Sequence, residues 1–418
     1  NYQMSKIIIQ NGNMCELDLP LKFAQKLYNE FAIRHPNAFY LRTRQRGMQN
    51  WDGKIHYITK TGQFKIGLLP KVYDMCIEMG IKPKVVDMRQ PLPKVSKVVT
   101  NIGKYKLRPE QEKAVKAVIN NKIGNTPFHI GVLDYTVNAG KTLIMSSLYL
   151  SYKKQLKTLL ITNDSDWLNQ AREEFKQYLP GEDITFVQGK VLNWSNFTIG
   201  MVQSISRNMR FYQKELSQID MVLVDEADQG GSKQYQNVIT RLFNTRIRIG
   251  LSGTIYMSKL AKDKVKNMNL ECFFGKVIAE FKLKDSIKKG YSTKTVVKMV
   301  PGKPWYGNWE SDCISYKEIY DDSITNCYTA WLMAYNRLLW NLNQGRYPAL
   351  VVCKHIAHCE NLYKFFKKKL GDAYNIAYVH VNTPSKLRQQ IMKDFREGKI
   401  DILVSTTIIA RGKNFPKL

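Results

Sequence analysis

The sequence lacks any apolar segment of the ~18 consecutive residues that a membrane-spanning helix needs. It also lacks paired cysteine spacing, because its 7 Cys are odd in number and scattered along the chain. That distribution argues against a disulfide framework and favours reduced thiols in a cytosol. No short-period repeat and no low-complexity tract interrupts the sequence. We therefore expect a cytoplasmic globular protein with no membrane partner.

Acidic residues are scarce in this chain. The 35 Asp and Glu stand against 64 Lys and Arg, which gives a formal net charge of +29. Such an excess requires a polyanionic partner, and nucleic acid fits because neutralising its phosphates releases condensed counterions. A membrane surface would attract the same cations, but the sequence has neither a basic amphipathic helix nor a lipidation site. The composition thus predicts a nucleic-acid-binding protein.

The pattern along the 418 residues predicts several domains. Residues 1–82 are typical of a small α+β domain, with a helix over 20–33 and a strand over 39–46, and the proline-containing stretch 83–106 is typical of a linker. From Leu107 onward apolar runs alternate with helical segments, the signature of parallel sheets covered by helices on both faces. We assign a first lobe to 107–275 and a second to 276–418. Expected strands lie at 129–133, 158–162, 184–187, 197–201, 221–224 and 247–251, then at 276–281, 295–299, 349–353, 376–379 and 400–405.

Residues 301–345 in the second lobe form an aromatic-rich segment that we expect to be a helical insertion. It contains Trp305, Trp309, Trp331 and Trp340. Tryptophans in such a segment more often pack into a core than stack on bases. We therefore expect packing on the second lobe, while contact with nucleic acid stays open.

A Gly-Lys-Thr turn follows the first apolar strand of the first lobe. Asn138, Ala139 and Gly140 precede Lys141 and Thr142, which open a strong helix. A turn of this kind brings backbone N–H groups and a helix N-terminus to one point, where a nucleotide phosphate binds. Lys141 is expected to reach the β- and γ-phosphates, and the Thr142 hydroxyl to ligate Mg²⁺. The pattern departs from the usual one only in having Tyr135 where Gly is common.

An acidic pair follows the apolar run at 221–224. Because ligands bind at the carboxyl ends of parallel strands, Asp225 and Glu226 should emerge beside the phosphate turn. Asp225 is expected to hold Mg²⁺ through water, and Glu226 to act as the general base toward the attacking water. The two motifs together predict an ATPase that uses ATP and Mg²⁺.

These motifs, read in order over residues 107–418, resemble those of superfamily 2 helicases. The resemblance implies two tandem RecA-like parallel-sheet lobes preceded by the small α+β domain. It implies that Arg108 and Gln111 bind ATP, with Gln111 reading the adenine edge, and that Gly412 belongs to the ATP cleft. It also implies that Asp228, Ser252 and Thr254 couple hydrolysis to lobe movement. It places the nucleic-acid grip of the lobes at Asn163, Gln203, Ser204 and Thr406.

One departure and one missing element accompany that resemblance. Asn414 replaces the acidic residue that usually follows the second-lobe glycine, so we expect no ribose contact there. The arginine that stabilises charge on the transferring phosphoryl group normally follows this motif, and such an arginine can raise the rate by orders of magnitude. We expect it in a C-terminal stretch that these 418 residues do not include.

Three arginines alternate within residues 39–46 of the N-terminal domain. On a strand, Arg42, Arg44 and Arg46 would share one face at ~6.6 Å spacing, comparable to the phosphate repeat along a nucleic-acid strand. Trp51 and Lys54 add a stacking ring and another cation. A solvated strand face is the plain alternative, but the total charge and the attached motor favour DNA contact.

A narrower resemblance is carried by residues 50–55, Asn-Trp-Asp-Gly-Lys-Ile, and 64–69, Phe-Lys-Ile-Gly-Leu-Leu. Both are similar to the N-terminal domain of phage UvsW-type helicases. That likeness implies an ATP-dependent helicase that acts on branched or forked DNA in the host cytoplasm, through branch migration, fork regression, annealing or unwinding. Other replication or recombination proteins would be its partners. The alternatives are an RNA helicase, a restriction or remodelling translocase subunit, and an ATP-gated clamp with little turnover.

Overall fold

The computed structural model describes residues 5–44, 47–255, 263–294, 296–299 and 315–409, and of Asp166 the backbone only. Two compact units meet in sequence between Lys294 and Thr295. Within the described residues, no helix combines the length and the apolar character that crossing a bilayer requires.

The N-terminal domain is built on a mixed four-stranded sheet in the order β5-β2-β1-β6. Strands β1 and β2 pair antiparallel, and β6 returns parallel to β1. Alternating apolar side chains such as Ile7 and Ile9 point into the core, as a sheet with one covered face requires. Its strands and helices are β1 (Lys6–Ile9), β2 (Met14–Asp18), α1 (Leu21–Glu30), β3 (Ala32–Arg34), α2 (Ala38–Arg44), β4 (Lys54–His56), β5 (Gln63–Lys65), α3 (Leu69–Glu78) and β6 (Lys84–Asp87).

The first lobe contains a parallel sheet of seven strands among the described residues, in the order β13-β14-β12-β15-β16-β11-β17. Its central strands are fully buried apolar runs, because helices cover both faces. The strands are β11 (His129–Tyr135), β12 (Thr158–Thr162), β13 (Ile184–Val187), β14 (Phe197–Met201), β15 (Met221–Asp225), β16 (Ile247–Ser252) and β17 (Val277–Phe281), with the short ribbons β7 (Asn101–Ile102), β8 (Tyr105–Lys106), β9 (Lys122–Ile123) and β10 (Thr126–Pro127) before them.

Helices of the first lobe follow its strands in the expected alternation. They are α4 (Pro109–Ile119), α5 (Lys141–Ser151), α6 (Ser165–Tyr178), α7 (Val202–Arg207), α8 (Gln213–Ser217), α9 (Lys233–Ile239), α10 (Lys264–Phe274) and α11 (Leu283–Lys288). The parallel RecA-like sheet expected from the sequence is confirmed.

The second unit has a parallel sheet in the order β18-β20-β19 within its described part. Its elements are α12 (Tyr316–Tyr320), α13 (Tyr328–Asn343), β18 (Ala349–Cys353), α14 (Ile356–Leu370), β19 (Ile376–Val379), α15 (Ser385–Glu397) and β20 (Ile402–Thr406). Helix α13 packs into the core of this unit through Trp331, Leu338 and Leu342. The packing expected of Trp331 is therefore confirmed, whereas Trp340 is 39% exposed and its ring is faced by the guanidinium groups of Arg337 and Arg346. Trp305 and Trp309 lie outside the described residues.

Residues 39–46 do not form the expected strand. Their described part belongs to helix α2, so Arg42 and Arg44 are two helical positions apart and point in different directions. The segment joins Ala, Leu and Arg, which are strong helix formers, and its apolar residues are consecutive rather than alternating. The arginines at every second position, 42, 44 and 46, therefore wrongly indicated a strand.

Three further expectations are also wrong, two about the ends of domains and one about a strand. Strand β6 lies in the region assigned to the linker but completes the N-terminal sheet beside β1. Strand β17 was assigned to the second lobe but pairs with β11 of the first. Residues 296–299 lie within the expected strand at 295–299 and have no regular secondary structure. Sheet membership depends on pairing between distant segments, which an apolar run alone does not specify.

The N-terminal domain is docked firmly on the first lobe. One hydrophobic core contains Ile7 and Phe64 of the domain together with Val224 and Phe274 of the lobe. At the contact, the Gly12 N–H donates to the Phe243 carbonyl at 2.6 Å. The two backbones approach so closely that a Cβ at Gly12 would lie 2.6 Å from the Leu242 oxygen. This domain and the first lobe therefore form one structural unit.

Candidate active site and nucleic-acid surface

Five neighbouring strands of the first lobe present the predicted motifs at one edge of the sheet. The order β14-β12-β15-β16-β11 places five segments side by side, each at the carboxyl end of its strand. They are Gln203 after β14, Asn163 after β12, Asp225 at the end of β15, Ser252 at the end of β16 and the Gly140 turn after β11. The topology thus brings together residues that lie far apart in sequence.

The phosphate turn depends on left-handed backbone conformations. Asn138 has φ 61° and Gly140 has φ 73°, and helix α5 begins directly after Gly140. A Cβ at Gly140 would lie 2.3 Å from Gln111 Nε2. The conformation therefore favours glycine here, and a side chain at this position would displace the Gln111 amide. The resulting turn leaves the first N–H groups of α5 directed toward the place expected for phosphate.

Arg108 and Gln111 fasten the beginning of helix α4 to this turn. Gln111 Oε1 accepts a hydrogen bond from the Arg108 N–H at 2.8 Å, and Gln111 Nε2 donates to the Ala139 carbonyl at 2.9 Å. Arg108 Nη2 donates to the Asn138 carbonyl at 3.1 Å. Because Gln111 is only 1% exposed, its amide supports the turn in this structure rather than being presented to an adenine edge.

Lys141 and Asp225 form an ion pair beside the turn. Their Nζ and Oδ1 atoms are 3.6 Å apart, and only 5% of the Asp225 side-chain surface is exposed. Burial raises the pKa of Asp225, and the nearby Lys141 charge opposes that shift. Oδ1 accepts no hydrogen bond from any described residue. A buried carboxylate oxygen that lies near Lys141 and accepts no hydrogen bond within the described part of the chain fits the needs of a hydrated Mg²⁺ ion.

The acidic segment continues into a polar network. Glu226 adopts a left-handed conformation with φ 54°, which is uncommon outside glycine and reorients the chain directly after Asp225. Ser252 Oγ donates to Asp228 Oδ1 at 3.1 Å. The Thr254 N–H in turn donates to Ser252 Oγ at 3.1 Å. The three residues predicted to couple hydrolysis to movement are therefore connected at the ends of β15 and β16.

The residues predicted to grip nucleic acid on the first lobe also lie together. Gln203 Nε2 donates to the Asn163 carbonyl at 3.3 Å, across the neighbouring strands β12 and β14. Ser204 Oγ accepts from the Gly189 N–H at 2.9 Å. All three side chains are partly exposed. The sheet edge thus presents an amide and a hydroxyl next to the acidic strand end.

Comparison with protein families accounts for this arrangement. Residues 104–257 match the family described as Type III restriction enzyme, res subunit, and residues 332–418 match the helicase conserved C-terminal domain. The chain is a superfamily 2 helicase. These domains imply an ATP-hydrolysing helicase. The second match begins within helix α13, inside the segment expected to be a helical insertion.

Individual relatives of the helicase are distant or partial. The ATP-dependent RNA helicase RhlB of Shewanella woodyi is 36% identical over 78 residues, 18% of this chain and 17% of the relative. Competence protein ComFA of Bacillus subtilis is 22% identical over 281 residues, 67% of this chain. The chain thus spans only 17% and 53% of the lengths of these two curated relatives.

Solved structures of UvsW from bacteriophage T4 have the same fold. One has a TM-score of 0.53 at 21% identity and covers 67% of this chain and 100% of its own. Another has a TM-score of 0.53 at 19% identity and covers 100% of this chain and 83% of its own. At these identities the likeness concerns the fold alone.

The N-terminal domain of the helicase carries an exposed basic surface around α2. Arg42 and Arg44 are exposed on this helix, and Lys54 is exposed on β4. Trp51 is only partly exposed, and its Nε1 donates to the Lys54 carbonyl at 2.9 Å. The Trp51 ring therefore stabilises the loop, and it is not the free stacking platform that was expected. Arg46 lies outside the described residues.

Two predicted residues of the helicase belong to the second unit. Thr406 ends β20 and is 7% exposed, so its contact with DNA stays a prediction. Gly412 lies outside the described residues. The prediction that it binds ATP is unaffected.

Three residues near the phosphate turn or the acidic strand end were not predicted from the sequence. The Tyr291 ring lies against the Arg108 guanidinium, whose Cζ is 4.2 Å from the ring centroid. Lys289 Nζ donates to Glu110 Oε2 at 2.7 Å. Tyr235 has a buried hydroxyl that no described residue contacts by hydrogen bond, and burial raises its pKa. No motif identifies these residues, because Lys289 and Tyr291 reach the start of α4 from the end of the first unit and Tyr235 lies on α9 near the acidic strand end.

Proposed function

We propose that this helicase hydrolyses ATP with Mg²⁺ at the edge of the first-lobe sheet. The main support is the ion pair between Lys141 and Asp225, which lies beside the glycine turn at the N-terminus of helix α5. In this proposal Lys141 contacts the β- and γ-phosphates, while Thr142 and Asp225 hold the metal. Mg²⁺ supplies charge neutralisation on the phosphates when bound.

Glu226 is the proposed general base. Its left-handed backbone comes directly after Asp225 at the end of β15, and we assign the two carboxylates separate roles. Asp225 keeps its charge near the cations, and Glu226 orients the attacking water and accepts its proton. Asn138, Ala139 and Gly140 contribute the turn, and Arg108 with Gln111 holds it in shape.

The proposed substrate is branched or forked duplex DNA, remodelled by branch migration, fork regression, annealing or unwinding. Support comes from the N-terminal domain, which is basic and shares a hydrophobic core with the first lobe. The motor lobe can therefore pull a duplex that the N-terminal domain binds. Arg42, Arg44, Arg46 and Lys54 supply the positive charge of the N-terminal domain. Asn163, Gln203, Ser204 and Thr406 are the proposed backbone contacts of the motor. A phage-type recombination or replication setting is part of the proposal, in keeping with the resemblance of residues 50–55 and 64–69 to UvsW-type helicases.

An RNA helicase is the second candidate. It is favoured by the likeness of 78 residues to the RNA helicase RhlB. Phosphate contacts alone do not separate the two nucleic acids, since only the 2′-hydroxyl distinguishes RNA at a given site. The rates of ATP hydrolysis with branched DNA and with RNA of matched shape separate these candidates.

A four-way DNA junction with one labelled strand tests the proposed motor. The protein is expected to convert it to duplex products only with ATP and Mg²⁺, and Lys141→Ala is expected to abolish conversion. Lys153→Ala serves as the matched control, because this lysine lies in the loop after α5 and away from the turn. Conversion that survived in Lys141→Ala would show that the turn does not drive remodelling.

A further inference from the structure

A cavity of about 560 Å³ opens on the N-terminal domain between helix α2 and the loop before β4. Its wall carries the cations of Arg34, Arg42 and Lys54. Phe39 lies at the cavity with 79% of its surface exposed. Gln49 and Asp52 add an amide and a carboxylate to the lining. Positive charge, an aromatic face and hydrogen-bonding groups therefore converge on one concave site.

The loop that closes this cavity is held in place by its own side chains. Asp52 Oδ1 accepts from the Lys54 N–H at 2.9 Å, and Asp52 Oδ2 lies 2.6 Å from His56 Nε2. The His56 ring stacks on Tyr28 with centroids 4.1 Å apart. Gly53, at φ 77°, lets the loop approach so closely that a Cβ there would lie 3.2 Å from the Ala38 Cβ. The cavity is thus preformed by the Trp51–Lys54 segment.

We propose that this cavity binds an unpaired nucleotide of a nucleic-acid branch, with its base against Phe39 and its phosphates near Arg34, Arg42 and Lys54. The inference rests on the proposed function and specifies how the N-terminal domain recognises a branch. It gives Phe39, rather than Trp51, the stacking role. Gln49 lines the cavity and offers its amide to the Watson–Crick edge of a base, which only an unpaired base leaves free, while Asp52 holds the loop through Lys54 and His56.

The shape of the site favours an unpaired nucleotide over continuous duplex. Bases inside a duplex are stacked on their neighbours and present phosphates and groove edges, so they have no free face for Phe39. An exposed phenylalanine is also a poor contact for hydrated phosphates alone. A base held by stacking explains why the aromatic ring and the cations occur together.

Equilibrium binding without ATP tests this inference on the full chain. The probes are a blunt DNA duplex, the same duplex ending in two unpaired arms, and the matching RNA fork. The wild-type protein is expected to prefer the DNA fork to the blunt duplex. Phe39→Ala should weaken fork binding by about 5- to 100-fold, the usual effect of removing one stacking ring, and leave blunt duplex binding within about twofold.

Leu21→Ala is the control, because Leu21 lies in the same domain and is 78% exposed but does not line the cavity. It should leave both affinities unchanged, and Phe39→Trp should restore the fork preference. If the wild-type protein prefers the DNA fork and Phe39→Ala keeps that preference, the inference about the cavity is wrong while the proposed function stands. If the wild-type protein shows no preference for the DNA fork, the branched-DNA proposal fails and the inference fails with it. An effect of Phe39→Ala on the RNA fork alone would overturn the DNA version of both.

Discussion

At the scale of single residues, Gly140 determines the shape of the phosphate turn. Gly140→Ala is expected to raise the KM for ATP by about 5- to 30-fold, because the left-handed backbone costs an alanine roughly 1–2 kcal/mol and its Cβ displaces Gln111. Steady-state hydrolysis at varied ATP measures this. Gly181→Ala is the matched control, since Gly181 has φ 75° but nothing within 4 Å of its Cβ. An unchanged KM in Gly140→Ala would contradict this account of the turn.

The buried charge of Asp225 lowers the stability of the folded protein. Its folded pKa lies above the ordinary 3.8, so the folded state binds the proton more tightly than the unfolded state. The free energy of unfolding therefore decreases as pH rises from 3.8 through the raised pKa. Asp225→Asn should remove this decrease, raise the melting temperature at neutral pH without nucleotide, and abolish hydrolysis.

Thermal unfolding of both proteins across the acidic to neutral range measures the effect. Asp183→Asn, a change at an exposed carboxylate, should leave the pH profile as in the wild type. If Asp225→Asn were less stable than the wild type at neutral pH, burial of this charge would not be the dominant influence on its pKa.

Sequence was most informative for residues whose chemistry depends on their neighbours in the chain. The Gly-Lys-Thr turn and the acidic strand end each combine backbone conformation and reactive groups within a few residues. Gln111 and Trp51 were less predictable, because their side chains are committed to Ala139 and Lys54 by contacts that the motifs do not encode. Tyr291 and Lys289 were missed since they approach from the end of the first unit.

At the scale of elements, the ends of β15 and β16 are connected by the hydrogen bond from Ser252 to Asp228. Ser252→Ala should lower strand displacement by about 10-fold or more, the effect of losing a hydrogen bond to a charged group, and leave ATP hydrolysis within a few-fold. Both activities are measured on the same preparation. Ser217→Ala, which removes an exposed hydroxyl bonded to a backbone carbonyl, is the control. Equal losses of both activities in Ser252→Ala would argue against a coupling role.

Elements with one dominant pattern were predicted well, and those with two competing patterns were not. The buried runs of β12 and β15 allow only a central strand. Helix α2 contains arginines at the spacing of a strand and residues with the propensity of a helix, and the helix forms because its apolar positions do not alternate. Strand β17 had the right type but the wrong sheet, because its pairing with β11 is set by tertiary contacts.

At the scale of the whole molecule, buried Arg248 joins the N-terminal domain to the first lobe. Its Nη2 donates to the Gly12 carbonyl at 2.6 Å and to Asn13 Oδ1 at 2.7 Å, and its Nη1 donates to the Phe273 carbonyl at 3.2 Å. Burial lowers the pKa of Arg248 to about 9. These acceptors become unsatisfied when the guanidinium is removed, which is costly in a buried site.

Arg248→Met should therefore lower the free energy of unfolding by roughly 1–3 kcal/mol, because the acceptors left without a donor cost more than is gained by no longer burying the charge. Denaturant unfolding followed by hydrogen exchange in β1 and β16 measures whether both sheets lose protection together. Arg241→Met, at an exposed arginine in the same lobe, is the control. Loss of protection in β1 alone would mean that the N-terminal domain unfolds independently, contrary to the shared core.

The central claim is that ATP hydrolysis here drives the remodelling of branched DNA. Its most direct test is the rate of ATP hydrolysis in the presence of forked, four-way, duplex and single-stranded DNA and of RNA of matched shape. We expect the highest rates with forked and four-way DNA and little stimulation by single strands. Stimulation by RNA as strong as that by branched DNA would show that branched DNA is not the specific substrate.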